Sequence, residues 1–285
     1  MRFLNFKQGN LGGLAIADGS SFKGLLTTDA SFPGSLQTLL EKGPEALKLA
    51  GDALRRGPVI DLEKITYLPP LVSPGRIWCI GLNYVDHSVE SGFAVPTYPA
   101  IFSRFPSSMI GHEAPVVRPK VSTQLDYEGE LVAVIGKAGR HISRDDALDH
   151  VAGYSICNDA SIRDYQFKSA QWTMGKNFDD TGPFGPFFVT SDELPAGAAG
   201  LKIQTRLNGV VVQDASTSSL IFDVATLVSM LSEAVCMQPG DVIVTGTPSG
   251  VGLARKPPLW MKHGDVCEVE IEGLGILRNL VVDEQ

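Results

Sequence analysis

The sequence feature that most constrains the fold is an acidic run, residues 126–130 (DYEGE), that leads into the apolar segment 131–135 (LVAVI) and ends at Gly136. A β-branched run bounded by glycine predicts a strand. Alternate side chains of a strand lie roughly 6.5 Å apart on one face, so Asp126, Glu128 and Glu130 are predicted to share a face. Carboxylates held close together repel one another unless a cation binds between them. Because all the ligands here would be oxygens, Mg²⁺, Mn²⁺ or Ca²⁺ is favoured over zinc. The competing interpretation is an acidic, solvent-facing strand edge.

Composition narrows the class of protein. The chain has 285 residues, 44% hydrophobic and 20% charged, which is typical of a folded globular protein with a substantial core. A net charge of −8 argues against nucleic acid or an anionic membrane surface as partner, but not against a small anionic substrate. Four scattered cysteines favour a reducing compartment. Because no signal-peptide or membrane-spanning stretch is visible, we expect a cytoplasmic protein.

Turn residues divide the chain into two parts. Short apolar segments alternate with glycine turns over residues 2–27 and predict small strands, and Pro44 to Arg55 has the start and stop signals of a helix. Proline and glycine then concentrate in residues 68–75. We therefore predict a small N-terminal domain over 1–70 and a larger domain over 71–285. In the latter, Asn208-Gly209 predicts a hairpin and residues 223–235 an amphipathic helix.

A histidine and a glutamate follow the predicted strand 77–81. His87 and Glu90 stand three residues apart, and on a helical turn that spacing lets the carboxylate orient the imidazole. An oriented histidine can act as a general base. A surface ion pair is the alternative interpretation. The apolar segment 93–99 contains two prolines, which favours a flap over a strand.

Further polar residues lie beside predicted strand ends. Asp159 follows the predicted strand 151–157, and Arg163 and Gln166 share a face of the helix predicted after it, although Asp159 also suits an N-cap or Asx turn. A short helix is also predicted from Ser143 to Asp149. Lys176 lies in an apolar neighbourhood, where extending its amine to solvent is the common alternative. The glycine-rich loop 246–252 lacks a nucleotide-binding pattern, yet its N–H groups and the Thr247 hydroxyl suit a carboxylate.

Five blocks in this order resemble the fumarylacetoacetate hydrolase family: residues 81–90, 126–131, 158–166, 175–176 and 245–252. The resemblance is close over residues 76–285, and residues 1–70 resemble, less specifically, the small N-terminal domain of longer bacterial members. It implies a mixed β with α (α+β) fold, a β-sandwich roll with flanking helices and a small N-terminal β/α domain. A homodimer with an Mg²⁺ or Mn²⁺ site is the usual form in the family.

The resemblance also implies roles for individual residues. Glu128, Glu130 and Asp159 would be the metal ligands, and His87 and Glu90 a water-activating dyad on a lid. Asp126 would then have a supporting or solvent-facing role. Substrate oxygens would be polarised by Arg163, Gln166 and the catalytic Lys176, whereas Thr247 would hold the terminal carboxylate. Leu82 and Arg104 depart from the common pattern of arginine and lysine at these positions, and Arg104 is predicted to bind substrate.

The implied reaction is metal-dependent hydrolysis of a C–C bond in a β-diketo acid, an acylpyruvate or fumarylpyruvate. Cleavage leaves a pyruvate enolate, whose negative charge the metal and Lys176 would stabilise. Oxaloacetate decarboxylase, tautomerase, hydratase and ureidoglycolate-lyase-like activities remain alternatives at the same site, and a non-catalytic binding protein is an alternative of another class. Trp172 and Met174, together with the segment 93–99, suggest an apolar wall for a substrate tail longer than that of oxaloacetate.

Overall fold

The computed structural model describes residues 1–90, 92 and 94–285. Its α-helices are α1 (Leu36–Lys42), α2 (Pro44–Arg55), α3 (Val85–Glu90), α4 (Arg163–Gln166), α5 (Thr173–Lys176) and α6 (Val224–Ala234). The strands of the first half are β1 (Arg2–Gln8), β2 (Leu11–Asp18), β3 (Ser21–Leu26), β4 (Thr66–Tyr67), β5 (Ile77–Gly81), β6 (Ala100–Ser103), β7 (Met109–Ile110), β8 (Val116–Arg118), β9 (Leu125–Asp126) and β10 (Gly129–Ile135). Those of the second half are β11 (Val151–Asn158), β12 (Ser161–Ile162), β13 (Gly182–Thr190), β14 (Lys202–Leu207), β15 (Val210–Ser216), β16 (Val242–Val244), β17 (Val266–Ile271) and β18 (Gly275–Asp283).

The larger sheet runs through both parts of the chain. Its order is β3-β2-β1-β13-β11-β10-β16-β5-β6, with β4 beside β1 and β7 beside β13. Strand β1 pairs with β13 in antiparallel register, Phe3 opposite Phe188, and side chains of both parts share one hydrophobic core. The first 70 residues are therefore continuous in sheet and core with the rest, and the predicted domain boundary at residue 70 stays a prediction.

A five-stranded sheet, in the order β15-β14-β17-β18-β8, packs against the larger one. The core between them combines Leu131 and Ile156 of the larger sheet with Ile203 and Val269 of the smaller, and Leu227 of α6 joins the same core. Two packed sheets with helices at their margins confirm the predicted α+β class. In the described residues, no helix is long and apolar enough to span a bilayer.

Several local predictions are confirmed where turn chemistry decides the structure. Helix α2 has the predicted bounds, and α6 begins after Asp223, whose side chain accepts a hydrogen bond from Thr226 N. Asn208 and Gly209 both adopt positive φ, 53° and 80°, as a tight β14–β15 hairpin requires.

Two local predictions are wrong. The acidic run does not form one strand: Asp126 ends β9, which pairs with β12, whereas β10 begins at Gly129. A helix does not start at Ser143; a 3₁₀ turn forms only at Ala147–His150. The predicted flap 93–99 begins at Phe93, which lies outside the described residues, and residues 94–99 are neither helix nor strand.

Candidate active site

Strand register brings three carboxylates together. Strands β10 and β11 pair with Gly129 opposite Asn158, so Glu128 and Glu130 flank the point where Asp159 leaves β11. The N–H of Asp159 donates to the carbonyl oxygen of Glu128 at 2.8 Å, and this hydrogen bond holds the two residues side by side. One oxygen from each of Glu128, Glu130 and Asp159 lies within 4.8 Å of the others, and all three residues are buried. The predicted ligand set is therefore assembled as a cluster.

Three cationic side chains surround this acidic cluster. Lys176 Nζ lies 2.6 Å from both Glu128 Oε2 and Asp159 Oδ2. Arg163 places Nη2 2.7 Å from Glu128 Oε1, an ion pair that lacks hydrogen-bond geometry, and Nη1 donates to Gln166 Oε1 at 2.9 Å. Arg104 Nη1 donates to Asp159 Oδ1 at 2.6 Å. Glu130 contrasts with these pairs: its Oε2 accepts the main-chain N–H of Gly246.

Asp126 is fully buried, so the predicted solvent-facing alternative is wrong. Its Oδ2 accepts from Arg163 Nε at 2.8 Å, and its Oδ1 accepts from the N–H of Gly252 at 2.7 Å. Leu253 N donates to Oδ2 at 2.9 Å. Asp126 thus joins Arg163 to the glycine-rich loop, which is a supporting role built from charge-assisted hydrogen bonds.

The electrostatics of the cluster fit a divalent cation. Burial raises the pKa of Glu128, but the charges of Lys176 and Arg163 outweigh burial and lower this pKa to about 2. Burial and the charges of Asp159 and Glu128 hold the pKa of Glu130 well above its usual range. When Glu130 is also ionised, four buried carboxylates, including Asp126, face three buried cations, which leaves one negative charge in excess. An all-oxygen, net negative cluster is the donor set that Mg²⁺ or Mn²⁺ prefers, so these residues fit the implied metal.

His87 and Glu90 form the predicted pair on α3. His87 is 6% exposed, and its Nδ1 lies 2.9 Å from Glu90 Oε1. The N–H of Gly250 donates to both Glu90 oxygens at 3.0 and 2.9 Å. Because an ionised carboxylate only accepts hydrogen bonds, Nδ1 carries the proton in neutral His87, and Nε2 is left as the basic nitrogen. Such a histidine is suited to accept a proton.

One small cavity of about 50 Å³ connects these groups. Its polar lining residues are His87, Glu128, Glu130, Asp159, Arg163, Gln166, Lys176 and Thr247. An apolar side consists of Ile80, Leu82, Phe102, Phe167, Trp172 and Leu253. Trp172 packs directly against Gly81, where an added Cβ would lie 2.3 Å from its ring, and Phe102 meets Trp172 edge-on.

Some predicted site residues occupy other positions than expected. Arg104 does not line the cavity but lies behind Asp159, in contrast to its predicted contact with substrate. Met174 is 65% exposed and contributes nothing to the apolar lining. Thr247 lines the cavity, but its hydroxyl donates to the carbonyl oxygen of Gly129 at 3.0 Å, so the predicted carboxylate contact stays a prediction.

Sequence reasoning predicted main-chain donors in the glycine-rich loop but missed their acceptors, which are Glu130 for the N–H of Gly246 and Glu90 for that of Gly250. Both glycines have positive φ, 106° and 104°, and a Cβ on Gly250 would lie 2.1 Å from the Val212 carbonyl oxygen. The signal that marked them was the density of glycine in the loop, which predicts main-chain donors without naming their acceptors.

The two-sheet scaffold, the buried acidic triad and the adjacent histidine fit a class of enzyme whose buried carboxylates could hold a divalent metal. Residues 76–282 match the family described as fumarylacetoacetate (FAA) hydrolase, C-terminal, and the chain belongs to this family. This confirms the family predicted from the five sequence blocks.

Similar proteins within the family have different activities. The chain is 42% identical over 289 residues to human oxaloacetate tautomerase FAHD2A, mitochondrial, covering 99% of this chain and 92% of that protein. It is similar in structure to fumarylacetoacetate hydrolase from Exiguobacterium antarcticum, with a TM-score of 0.86, 35% identity and full coverage of both chains. Maleylpyruvate hydrolase from Sphingobium sp. SYK-6 gives a TM-score of 0.82 at 26% identity, also with full coverage of both chains. The family's members are thus enzymes, and their names span isomerisation and hydrolysis.

Proposed function

We propose that this enzyme interconverts the keto and enol forms of a short 2-oxo dicarboxylate, with oxaloacetate as the reference substrate and Mg²⁺ or Mn²⁺ as cofactor. The observation that carries the proposal is the placement of His87 and the acidic triad around one cavity of about 50 Å³. Charged and polar side chains make up one side of this cavity, which favours a small anionic substrate. The 42% identity to a tautomerase supports the same reaction.

Charge balance favours an anionic substrate. With Glu130 ionised as a metal ligand, the buried cluster has one negative charge in excess, and a divalent cation would change this to one positive charge in excess. A dicarboxylate placed there would meet Arg163 and Lys176, both of which line the cavity. When bound by Glu128, Glu130 and Asp159, Mg²⁺ or Mn²⁺ would supply Lewis-acid stabilisation of negative charge on substrate oxygens.

The chain's own residues supply the proton transfer. In the keto-to-enol direction, Nε2 of His87 removes a proton from C3, and the C–H electron pair forms the C2–C3 double bond. The 2-oxo oxygen gains the displaced C=O electron pair and then a proton from His87 Nε2, which returns His87 to its neutral form. Glu90 stabilises the positive charge that His87 carries meanwhile, because its carboxylate lies 2.9 Å from Nδ1. Lys176 and Arg163 provide fixed positive charge in a site shielded from water.

Hydrolysis of an acylpyruvate is the second candidate. The His87–Glu90 pair favours it, because a base of this kind can also take a proton from water that attacks a carbonyl carbon. The similarity to maleylpyruvate hydrolase points the same way. The C–C bond would then break with its electron pair on the pyruvate fragment. Product identity separates the candidates, since tautomerisation releases no fragment.

The test uses enol-oxaloacetate diluted into buffer with metal-loaded protein. We expect faster loss of the ultraviolet absorbance of the enol than in buffer alone, without release of pyruvate or CO₂. Protein treated with a chelator should lose the acceleration, and added Mg²⁺ should restore it. Pyruvate formed at the rate of enol loss would instead indicate decarboxylation, and turnover of acylpyruvates alone would replace the proposal with the second candidate.

Assembly and compartment remain expectations. We propose a homodimer acting on a small anionic keto acid, and sedimentation of the purified protein is the direct measurement of assembly. The human relative is named as mitochondrial, so the predicted cytoplasmic location is not confirmed.

A further inference from the structure

Arg104 is a buried charge that the proposed reaction does not use. It follows β6, its side chain is fully buried, and it is absent from the cavity lining. A guanidinium is costly to remove from water unless all its donors are satisfied and a carboxylate faces it. Its position therefore requires a specific set of contacts.

All three nitrogens of the Arg104 side chain have acceptors. Nη1 donates to Asp159 Oδ1 at 2.6 Å and to the Ala160 carbonyl oxygen at 3.1 Å. Nε donates to Ser108 Oγ at 3.2 Å, and Nη2 donates to Thr181 Oγ1 at 3.0 Å. The planar guanidinium directs its N–H groups toward all of these acceptors, whereas the single ammonium of lysine cannot reach all of them.

The backbone of β13 is shaped to accept this group. A Cβ built on Gly182 would lie 2.6 Å from Nη2 and 2.8 Å from Cζ of Arg104. Gly182 has an ordinary φ, so it is the proximity of the guanidinium, not backbone conformation, that excludes a side chain. Arg104 thus lies in a fitted slot.

The contacts divide the two oxygens of Asp159. Oδ1 is bound by Arg104, while Oδ2 contacts Lys176 Nζ, which lines the cavity. We propose that Arg104 is a positioning residue for the metal centre: it holds Asp159 through Oδ1, so that Asp159 offers Oδ2 alone as a ligand. The inference rests on the metal of the proposed function, and it concerns metal affinity rather than the reaction catalysed.

The experiment measures Mn²⁺ affinity of metal-stripped protein by electron paramagnetic resonance, without substrate. Arg104→Met removes the guanidinium but keeps a stem of similar length, and Gly182→Ala displaces the guanidinium while Arg104 is retained. Both variants should bind Mn²⁺ at least about tenfold more weakly, the usual effect of losing a partner that orients a metal ligand. Gly12→Ala is the matched control, because a Cβ there makes an ordinary 3.5 Å contact with Thr27, and it should bind Mn²⁺ like the wild type.

Circular dichroism separates a folding defect from the proposed effect. If Arg104→Met or Gly182→Ala fails to fold, Thr181→Val removes the Oγ1 acceptor of Nη2 with little change of shape, and we expect weakened Mn²⁺ binding there too. Folded variants with wild-type Mn²⁺ affinity would overturn the inference. A wild-type protein that binds Mn²⁺ but does not tautomerise oxaloacetate would contradict the proposed function and leave the role of Arg104 intact.

Discussion

The two groups that meet in the cavity are held by different kinds of contact. The acidic triad is built on β10 and the end of β11, and Lys176, Arg163 and Arg104 bind it through charged side chains. The proton-transfer pair lies on the six-residue helix α3 and contacts the glycine-rich loop through the N–H of Gly250. The outer face of α3 is exposed at Val85 and Val89. We infer that the triad determines metal binding, whereas the pair determines the rate of proton transfer.

The largest expected effect comes from the proton-transfer pair. Replacing His87 with Gln removes the base but not a ligand, so we expect kcat to fall about a thousandfold while Mn²⁺ affinity stays at the wild-type value. Enol decay and a Mn²⁺ titration measure the two quantities on one preparation. If His87→Gln also lost Mn²⁺ affinity, the inference that the triad binds the metal and the pair transfers the proton would be contradicted.

The next effect separates two members of the triad. Glu128→Gln and Glu130→Gln should each weaken Mn²⁺ by about a hundredfold, because each removes a charged ligand. Their effects on the metal-free fold should differ. Glu128→Gln leaves Lys176 and Arg163 short of a partner and should lower the free energy of unfolding by about 3 kcal/mol. Glu130→Gln relieves the repulsion from Glu128 and Asp159 and keeps an amide oxygen for the Gly246 N–H, so stability should stay unchanged or rise.

The pH dependence of unfolding checks the same contrast. The pKa of Glu128 is lowered from 4.5 to about 2 in the fold, so its ion pairs stabilise the metal-free protein above pH 4.5 and are lost as the pH falls toward 2. The stability difference between wild type and Glu128→Gln should shrink over that interval. A difference that is independent of pH would show that the ion pairs are not its source.

A substitution at Asp126 should have a smaller effect, and it should alter both metal binding by the acidic triad and proton transfer by the His87–Glu90 pair. This carboxylate binds Arg163 on one side and the N–H groups of Gly252 and Leu253 on the other. Asp126→Asn turns one acceptor into a donor, and we expect kcat/KM to fall about tenfold, comparable with losing one charge-assisted hydrogen bond. Unlike His87→Gln, it should also weaken Mn²⁺. An effect on kcat alone would limit Asp126 to the loop.

These contrasts show what sequence can predict about such a site. Glu128, Glu130 and Asp159 were predictable because strand spacing and the family blocks place acids at neighbouring strand ends. The burial of Asp126 could not be predicted, because its carboxylate accepts hydrogen bonds from main-chain N–H groups of Gly252 and Leu253, which lie more than 120 residues away in the sequence. Arg104 was assigned to substrate because the family resemblance places this position in or near the pocket, without showing that its guanidinium contacts Asp159 instead of lining the cavity. The types of side chain at the site could be predicted from the sequence, but the groups that each side chain contacts depend on the tertiary structure.

The smallest predicted effect tests whether the loop positions the proton-transfer pair. Arg255 donates to the Gly250 carbonyl oxygen at 3.2 Å, to Val212 O at 2.7 Å and to Tyr127 Oη at 3.0 Å. Arg255→Met should loosen Gly250 against Glu90 and lower kcat about threefold to tenfold, as expected for the loss of one or two ordinary hydrogen bonds.

Mn²⁺ affinity should not change in Arg255→Met, because Arg255 contacts no member of the triad in the described structure. Arg144→Met is a suitable control, since it removes an arginine whose contacts, Asp223 and Thr226, lie on the surface. Equal kcat in both variants would show that Gly250 holds Glu90 without help from Arg255. Reduced kcat in Arg255→Met alone would show that α3 depends on a main-chain support that the triad does not need.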